Sequence, residues 1–422
     1  MATFVNTEKT IQFQIGTFTD IGCGNRENQD DYFVVLKPEI DCCIFGIADG
    51  HGKYTGKLVA NVCKQNTEEF IDANLEELEN NTVSFLEKIF PHLHQQVRLA
   101  LAEYAGKNGE EVVVDPSSGI VTSRKYKTQN FTHINGGSTF SIIIIKNGKM
   151  YIANVGDSTG LLCAKHDNLN QSCLKYEKDV AEAVAEVAIA EVVVTEVAIA
   201  EVAIAKVDSF TNKLVITREH SPENINEYKR IRKFRQSKEN PNCAELKFVY
   251  DEQGREKSWC PPIFNVSEEG VPTIIEEGFH YYYKNVRKDR ATYVATPFDS
   301  RYSDALASTR TIGDFNINTF GVSEKPEIQS IDLQSLIVDE NPLCVVLASD
   351  GVWDNWKYED VCNFVMDKSC LTALSTDPEN GSQRIADSLN RRNQMFALKN
   401  FGRNTDNATG IVVYIKGTQV PL

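Results

Sequence analysis

Positive charge is scarce in this chain. Its 44 lysines and arginines face 59 aspartates and glutamates, for a formal net charge of −15. That balance argues against nucleic acid or an anionic membrane surface as the main partner. No window of 18 apolar residues lacks a charge, so no membrane-spanning helix is expected. The opening MATFVNTEKTIQ has neither a basic start nor an apolar run, so no secretory signal is read there. C-x-x-C pairs are absent, and the 11 cysteines are odd in number. They do not read as a disulfide framework, and Cys42 and Cys43 within CCIFGIA read as small core residues. A reducing, intracellular compartment follows, cytoplasm or nucleus.

The phosphate-binding loop of nucleotide enzymes is missing too. GIADGHGKYTGK (46–57) is rich in glycine, but Gly50 and Gly56 enclose five residues and Gly52 and Gly56 only three. Leu58 follows Lys57 where a hydroxyl should reach Mg²⁺,. The spacing and the chemistry both fail. What remains is Asp49, a carboxylate at the end of an apolar run.

At 422 residues and 41% hydrophobic content, the chain can bury a sizeable core. Strands are expected at 31–36, 42–48, 139–146, 149–156, 343–349 and 409–416, where β-branched and apolar residues run together. Helices are expected at 55–75, 85–104, 222–234, 357–367 and 380–398. Strands gathered in runs, with helices elsewhere, favour an α+β fold of antiparallel sheets flanked by helices. Residues 178–207 stand apart: Glu186, Glu191, Glu196 and Glu201 recur every five residues around EVAIA. Five residues turn a helix by about 140°, so no apolar face forms, and in a strand the glutamates would alternate faces. The stretch reads as a low-complexity insertion, spanning 165–209 with its flanks. A second insertion, 235–300, carries prolines, charges and scattered aromatics, and reads as ordered but irregular.

Several aspartates sit at the ends of these runs. Asp49 closes CCIFGIA, Asp350 follows VVLAS, Asp406 precedes TGIVV, and Asp30 and Asp31 open DYFVV. Strand ends are rigid supports, and carboxylates without thiolates suit hard cations such as Mg²⁺ or Mn²⁺. Taken singly, each aspartate could equally cap a turn.

The ordered set NQDD (28–31), ADGHG (48–52), GGSTF (136–140), ANVGDS (153–158), LVITREHSPENINEYKRI (214–231), STRTIGD (308–314), ASDGVWD (348–354) and TDNATG (405–410) resembles the metal-dependent protein serine/threonine phosphatases of type 2C. The resemblance implies one such domain over 10–418, a four-layer αββα fold with a central β-sandwich of two antiparallel sheets, and two Mg²⁺ or Mn²⁺ ions with a weaker third in some members. It makes Asp49 the bridging ligand, the Gly50 carbonyl a ligand of one ion, and Asp350 and Asp406 ligands of the other. Asp30 would act directly or through water. His51 would be the general acid, and water between the ions the nucleophile. Asp157 and Asp354 match the third site, though both could be local turn groups. Thr139 would support the site or simply pair strands. Phosphoprotein substrates, a role in signalling and a monomeric state are expected.

Two positions depart from the pattern. The family's phosphate-holding arginine falls at Asn25, with Arg26 one residue later, and Thr159 stands where GDSR would place an arginine. A competing reading is a silent scaffold of the same fold, but such proteins usually lose a metal carboxylate, and Asp30, Asp49, Asp350 and Asp406 are all present. No cysteine is followed by five residues and an arginine, which excludes a cysteine-phosphatase loop.

Overall fold

The structure is a computed structural model that describes residues 2–5, 9–24, 27–125, 128, 130–165, 169–179, 212–237, 244–252, 254–268, 270–275, 283–337 and 341–419. Arg26 and the repeat from 180 onward lie outside the described residues.

Two antiparallel sheets dominate the strand order. The first has six strands: β1 (Ala2–Val5), β2 (Lys9–Asp20), β8 (Thr159–Ala164), β10 (Asn212–Val215), β13 (Leu343–Ala348) and β14 (Ala408–Gln419), arranged β1-β2-β14-β13-β8-β10. The second has eight: β3 (Asp30–Lys37), β4 (Cys42–His51), β5 (Gly137–Ser138), β6 (Phe140–Lys146), β7 (Lys149–Val155), β9 (Lys175–Asp179), β11 (Ile312–Gly313) and β12 (Glu327–Asp332). Their order is β9-β12-β7-β6-β4-β5-β11, with β3 paired to the side of β4. All six expected strands and all five expected helices are present.

Strand alternation explains the layers. In β13, Leu343, Val345 and Leu347 enter a core shared with Phe45, Ile47, Ile143 and Ile145 of the second sheet, while Cys344, Val346 and Ala348 face outward. That outer face is covered by α5 (Tyr358–Val365), α6 (Lys368–Thr376) and α7 (Gly381–Phe401). The outer face of the second sheet, with Cys42, Ile44, Ile142 and Ile144, packs on α1 (Gly56–Ala73) and α2 (Thr82–Lys107). The result is helix, sheet, sheet, helix. Central strands buried on both faces read as unbroken apolar runs, and each such side chain contributes about 1.5–3 kcal/mol on burial. Among the described residues, no helix is long and apolar enough to cross a membrane.

Three features exceed the sequence expectations. Strand β2, 12 residues long, pairs with β14 along its whole length; its Ile11-Gln-Phe13-Gln-Ile15 alternation turns three apolar side chains toward the core,, while Gly16 on its other face packs on α7. The 235–300 excursion contributes Lys247–Tyr250 and Thr292–Ala295 to a three-stranded sheet, and Phe248, Tyr250, Ile263, Phe264 and Val294 form a core with Tyr228 and Ile231. Third, Cys163 of β8 and Cys362 of α5 are bridged, 199 residues apart. A distant pair of this kind leaves no local spacing to read, so the reading of the cysteines is corrected by one staple. Cys42 and Cys43 are fully buried as expected.

The motifs REHSPENINEYKRI and STRTIGD meet through one buried carboxylate. Glu227, on α3 (Ile225–Gln236), accepts hydrogen bonds from the Thr309 hydroxyl at 2.7 Å and from Arg310 Nε and Nη2 at 3.1 Å and 2.6 Å. Burial alone would raise its pKa, but Arg230 and Arg310 hold it well below the ordinary carboxylate range. The Arg310 side chain is fully buried. This clamp fixes the segment that runs on to Asp314.

Candidate active site

The sandwich presents several strand ends at one place. β3 and β4 are antiparallel with Asp30 directly opposite Asp49, so the start of one strand and the end of the other share an edge. β13 runs into Ser349 and the short helix α4 (Asp350–Trp353), beside the beginning of β14. The two edges are tied together: the Ser349 hydroxyl donates to Asp30 Oδ2 at 2.8 Å and accepts from Thr409 N at 3.0 Å. Asn407 adds a second tie, its Oδ1 accepting from Gln29 N at 2.8 Å.

Asp49 is clamped by Thr139, whose hydroxyl accepts from Asp49 N at 3.2 Å and whose own N–H donates to Asp49 O at 2.9 Å. Thr139 therefore both pairs strands and touches the Ser158 hydroxyl at 2.8 Å. Gly50 admits no side chain: a Cβ there would lie 2.3 Å from the Gly56 carbonyl oxygen. Asp31, one residue past Asp30, points the other way and pairs with Lys64 at 3.0 Å and Lys57 at 3.5 Å. Strand alternation separates the two neighbours.

The remaining carboxylates act on one another. Burial, then the charges of Asp30, Asp350, Asp406 and Asp157, pushes Asp49 well above its usual range. Asp350 is pushed up likewise by burial and by Asp354, Asp157 and Asp406. Burial lifts Asp30 to about 6 against the hydrogen bond from Ser349, and lifts Asp354 to about 7 against Lys284. Asp406 is raised by burial and Asp157, although its Oδ1 accepts from Asn407 N at 2.7 Å. Six carboxylates from five chain segments thus converge.

Such a cluster fits hard divalent cations. Its donors are oxygens, and Asp30 Oδ1 and Asp354 Oδ1 are buried with no hydrogen-bond partner. Among the described residues, no group of three or more Asp, Glu, His or Cys side chains is arranged to hold a metal ion. The two observations differ in range: charge repulsion acts over several ångströms, whereas ligation needs oxygens about 2.1 Å from one centre. Backbone pairing and buried hydrogen bonds fix the strand edges that bring these carboxylates together.

His51 ends β4 and lies opposite Gly137 of β5, which in turn pairs with Gly313 of β11. The next residue, Asp314, is thereby brought to His51, with Oδ2 at 2.6 Å from Nε2. A Cβ on Gly137 would sit 1.9 Å from Asp314 Oδ2 and 2.6 Å from His51 Nε2, so glycine is required there. Thr311 Oγ1 donates to the same carboxylate oxygen at 2.9 Å. Burial would lower the imidazole pKa, but Asp314, with Asp157 and Asp304 behind it, holds it above its ordinary value. STRTIGD carried this signal, yet no spacing rule links positions 263 residues apart.

Lys284, from the 235–300 excursion, also reaches the cluster, 3.6 Å from Asp157 Oδ2. Thr159, the departure in the GDS motif, turns its hydroxyl to the Asp157 carbonyl at 3.1 Å.

A family model described as Protein phosphatase 2C matches residues 20–176 and 289–394. A curated relative from Paramecium tetraurelia, "Probable protein phosphatase 2C 2", is 30% identical over 151 residues, 35% of this chain and 43% of the relative. "Protein phosphatase 1L" of Bos taurus is 20% identical over 82% of this chain and 61% of its own length. The chain thus spans less than half the length of the Paramecium relative. A solved serine-threonine phosphatase 2C from Toxoplasma gondii aligns over 98% of this chain and 97% of its own, at 13% identity and a TM-score of 0.48.

The raised carboxylates set a pH dependence for the metal-free protein. A carboxylate whose folded pKa lies above 3.8 binds its proton more tightly when folded, so its contribution is fully present below 3.8 and is lost as pH rises through about 6 for Asp30 and about 7 for Asp354,. The metal-free melting temperature is expected to fall from about pH 5 to about pH 8, less steeply in Asp354→Asn. Mn²⁺ should reverse the fall. An identical slope in the variant, measured by calorimetry, would contradict the coupling.

Proposed function

We propose, from the premise that this chain belongs to the protein phosphatase 2C family, that it hydrolyses phosphoserine and phosphothreonine in proteins with the help of two divalent cations, Mg²⁺ or Mn²⁺. The observation that carries the reading is the convergence of Asp30, Asp49, Asp350 and Asp406 at one end of the sandwich, beside His51.

In this reading Asp49 and the Gly50 carbonyl, with Asp350 and Asp406, hold the ions, and Asp30 supports them directly or through water. Bound there, the cations would lower the pKa of water and offset charge on the phosphoryl oxygens. Solvent is then the nucleophile, and no activated Ser or Cys is needed. His51 Nε2 is committed to Asp314, so Nδ1 is the ring nitrogen that delivers a proton to the departing serine or threonine oxygen. Asp314 holds the imidazole in orientation and favours its protonated form, as a general acid near neutral pH requires. The carbonyl of Asp49 and the Thr139 amide keep the β4 terminus in place while these groups act. Arg26, four residues before Asp30 in the sequence, is the candidate for holding the substrate phosphate.

The test is Mn²⁺-dependent hydrolysis of a phosphothreonine peptide by the purified protein, with and without chelator. Asp49→Asn and Asp350→Asn should each lose activity by a factor of about 10² or more while remaining folded by circular dichroism. Equal turnover by either variant would refute the assignment and favour a silent scaffold.

The acid role has its own signature. His51→Gln and Asp314→Asn should slow alkyl phosphates by about 10²-fold and aryl phosphates, with better leaving groups, much less. The same loss for both substrate types would remove His51 from proton transfer.

A further inference from the structure

The family match breaks between residues 176 and 289, and the gap contains Lys284. Its ammonium nevertheless stands 3.6 Å from Asp157 Oδ2, with side-chain exposures of 24% and 12%. A flexible lysine would be unremarkable there, but this one is set on a braced loop. Lys284 N donates to Asp289 O at 2.9 Å. Asn285 Oδ1 accepts from Arg287 N at 3.0 Å and Asp289 N at 3.1 Å, and Asn285 Nδ2 donates to Asp289 Oδ2 at 2.8 Å. The loop is then docked on α4: Val286 N donates to Asp354 O at 3.1 Å, and the Arg287 guanidinium donates to the Trp353 and Trp356 carbonyls. Arg287 also lies over the Tyr358 ring, 4.6 Å from its centroid. The backbone that carries Lys284 is therefore tied to the backbone that carries Asp354.

Charge counting gives this cation a task. With ions bound and every carboxylate ionised, Asp30, Asp49, Asp157, Asp350, Asp354 and Asp406 would carry six negative charges, with Glu219 a seventh beside Lys284, and two divalent ions would supply four positive ones. The Asp157–Asp354 side keeps an excess that a further cation would neutralise. Burial would favour loss of the Lys284 proton, but the negative charges of Asp157, Glu219, Asp354 and Asp350 hold its pKa above the ordinary lysine value.

We propose that Lys284 is the built-in counter-ion of the Asp157–Asp354 side of the cluster, so that this protein binds two divalent ions there and no third. The inference rests on the two-ion reading above. An ammonium cannot release or recruit with changing ion concentration, so the charge on this side of the site stays constant. Lys284 also lines a cavity with Thr217, Glu219, Glu223 and Arg290.

The experiment is Mn²⁺ binding to the full chain by equilibrium dialysis and titration calorimetry. The native protein should bind two equivalents. Lys284→Met should bind one additional, weaker equivalent, and adding Asp157→Asn to it should abolish that extra ion. Lys284→Arg, which keeps the charge, should match the native stoichiometry and serves as the folding control. Two equivalents in both the native and Lys284→Met proteins would overturn the inference alone. A third ion in the native protein that Asp157→Asn removes would also overturn it. No Mn²⁺ binding by any of the proteins would bring down the two-ion reading and the inference with it.

Discussion

Repulsion between buried carboxylates is the constraint on which this molecule is organised. Asp30 and Asp49 are opposite one another in a strand pair, a position where like charges destabilise a sheet. Asp350, Asp354, Asp157 and Asp406 add to the same field. A fold accepts such a cost only where something offsets it, and strained or charged constellations of this kind mark functional sites. Hard cations, one lysine and a partly protonated state are the available offsets. The rest of the chain supplies the stiffness that prevents the carboxylates from separating.

That stiffness has two sources. The core shared by the sheets locks the strands, and small polar residues bind the strand ends: Ser349 and Thr409 across the sheets, Thr139 beneath Asp49. The Glu227–Arg310 clamp holds a third region, the segment leading to Asp314. Removing one member of a buried ion pair typically costs about 3–5 kcal/mol, so this part of the chain has little freedom to shift. His51 and Asp314 meet because the end of β4 and two short strands, β5 and β11, pair in succession at that edge. Shape and charge are set by separate parts of the sequence and converge at one end.

Much of this was legible in the residues. The central strands announce themselves as apolar runs because both faces are buried, and their terminal aspartates stand out as charges at the edge of such runs. β2 gives a weaker signal because its core-facing apolar residues alternate with Gln12, Gln14 and Gly16 on the face that packs against α6 and α7, and alternation is a weaker signal than a run. Asp31 looks like Asp30 in the sequence and differs only through strand alternation. The His51–Asp314 pair and the Cys163–Cys362 bridge join positions that no local pattern connects. Lys284 had no signal at all, since one lysine among aromatics and charges gains meaning only when the loop carrying it is placed. The resemblance of eight ordered motifs foretold the family, and the family model bears it out over more than half of the chain.

The most direct measurement is anomalous diffraction from crystals grown with Mn²⁺. The account predicts two peaks about 4 Å apart, with the Asp49 carboxylate between them and Asp350 and Asp406 on one of them. Peaks on separate surfaces, or none within ligand distance of Asp49, would contradict it.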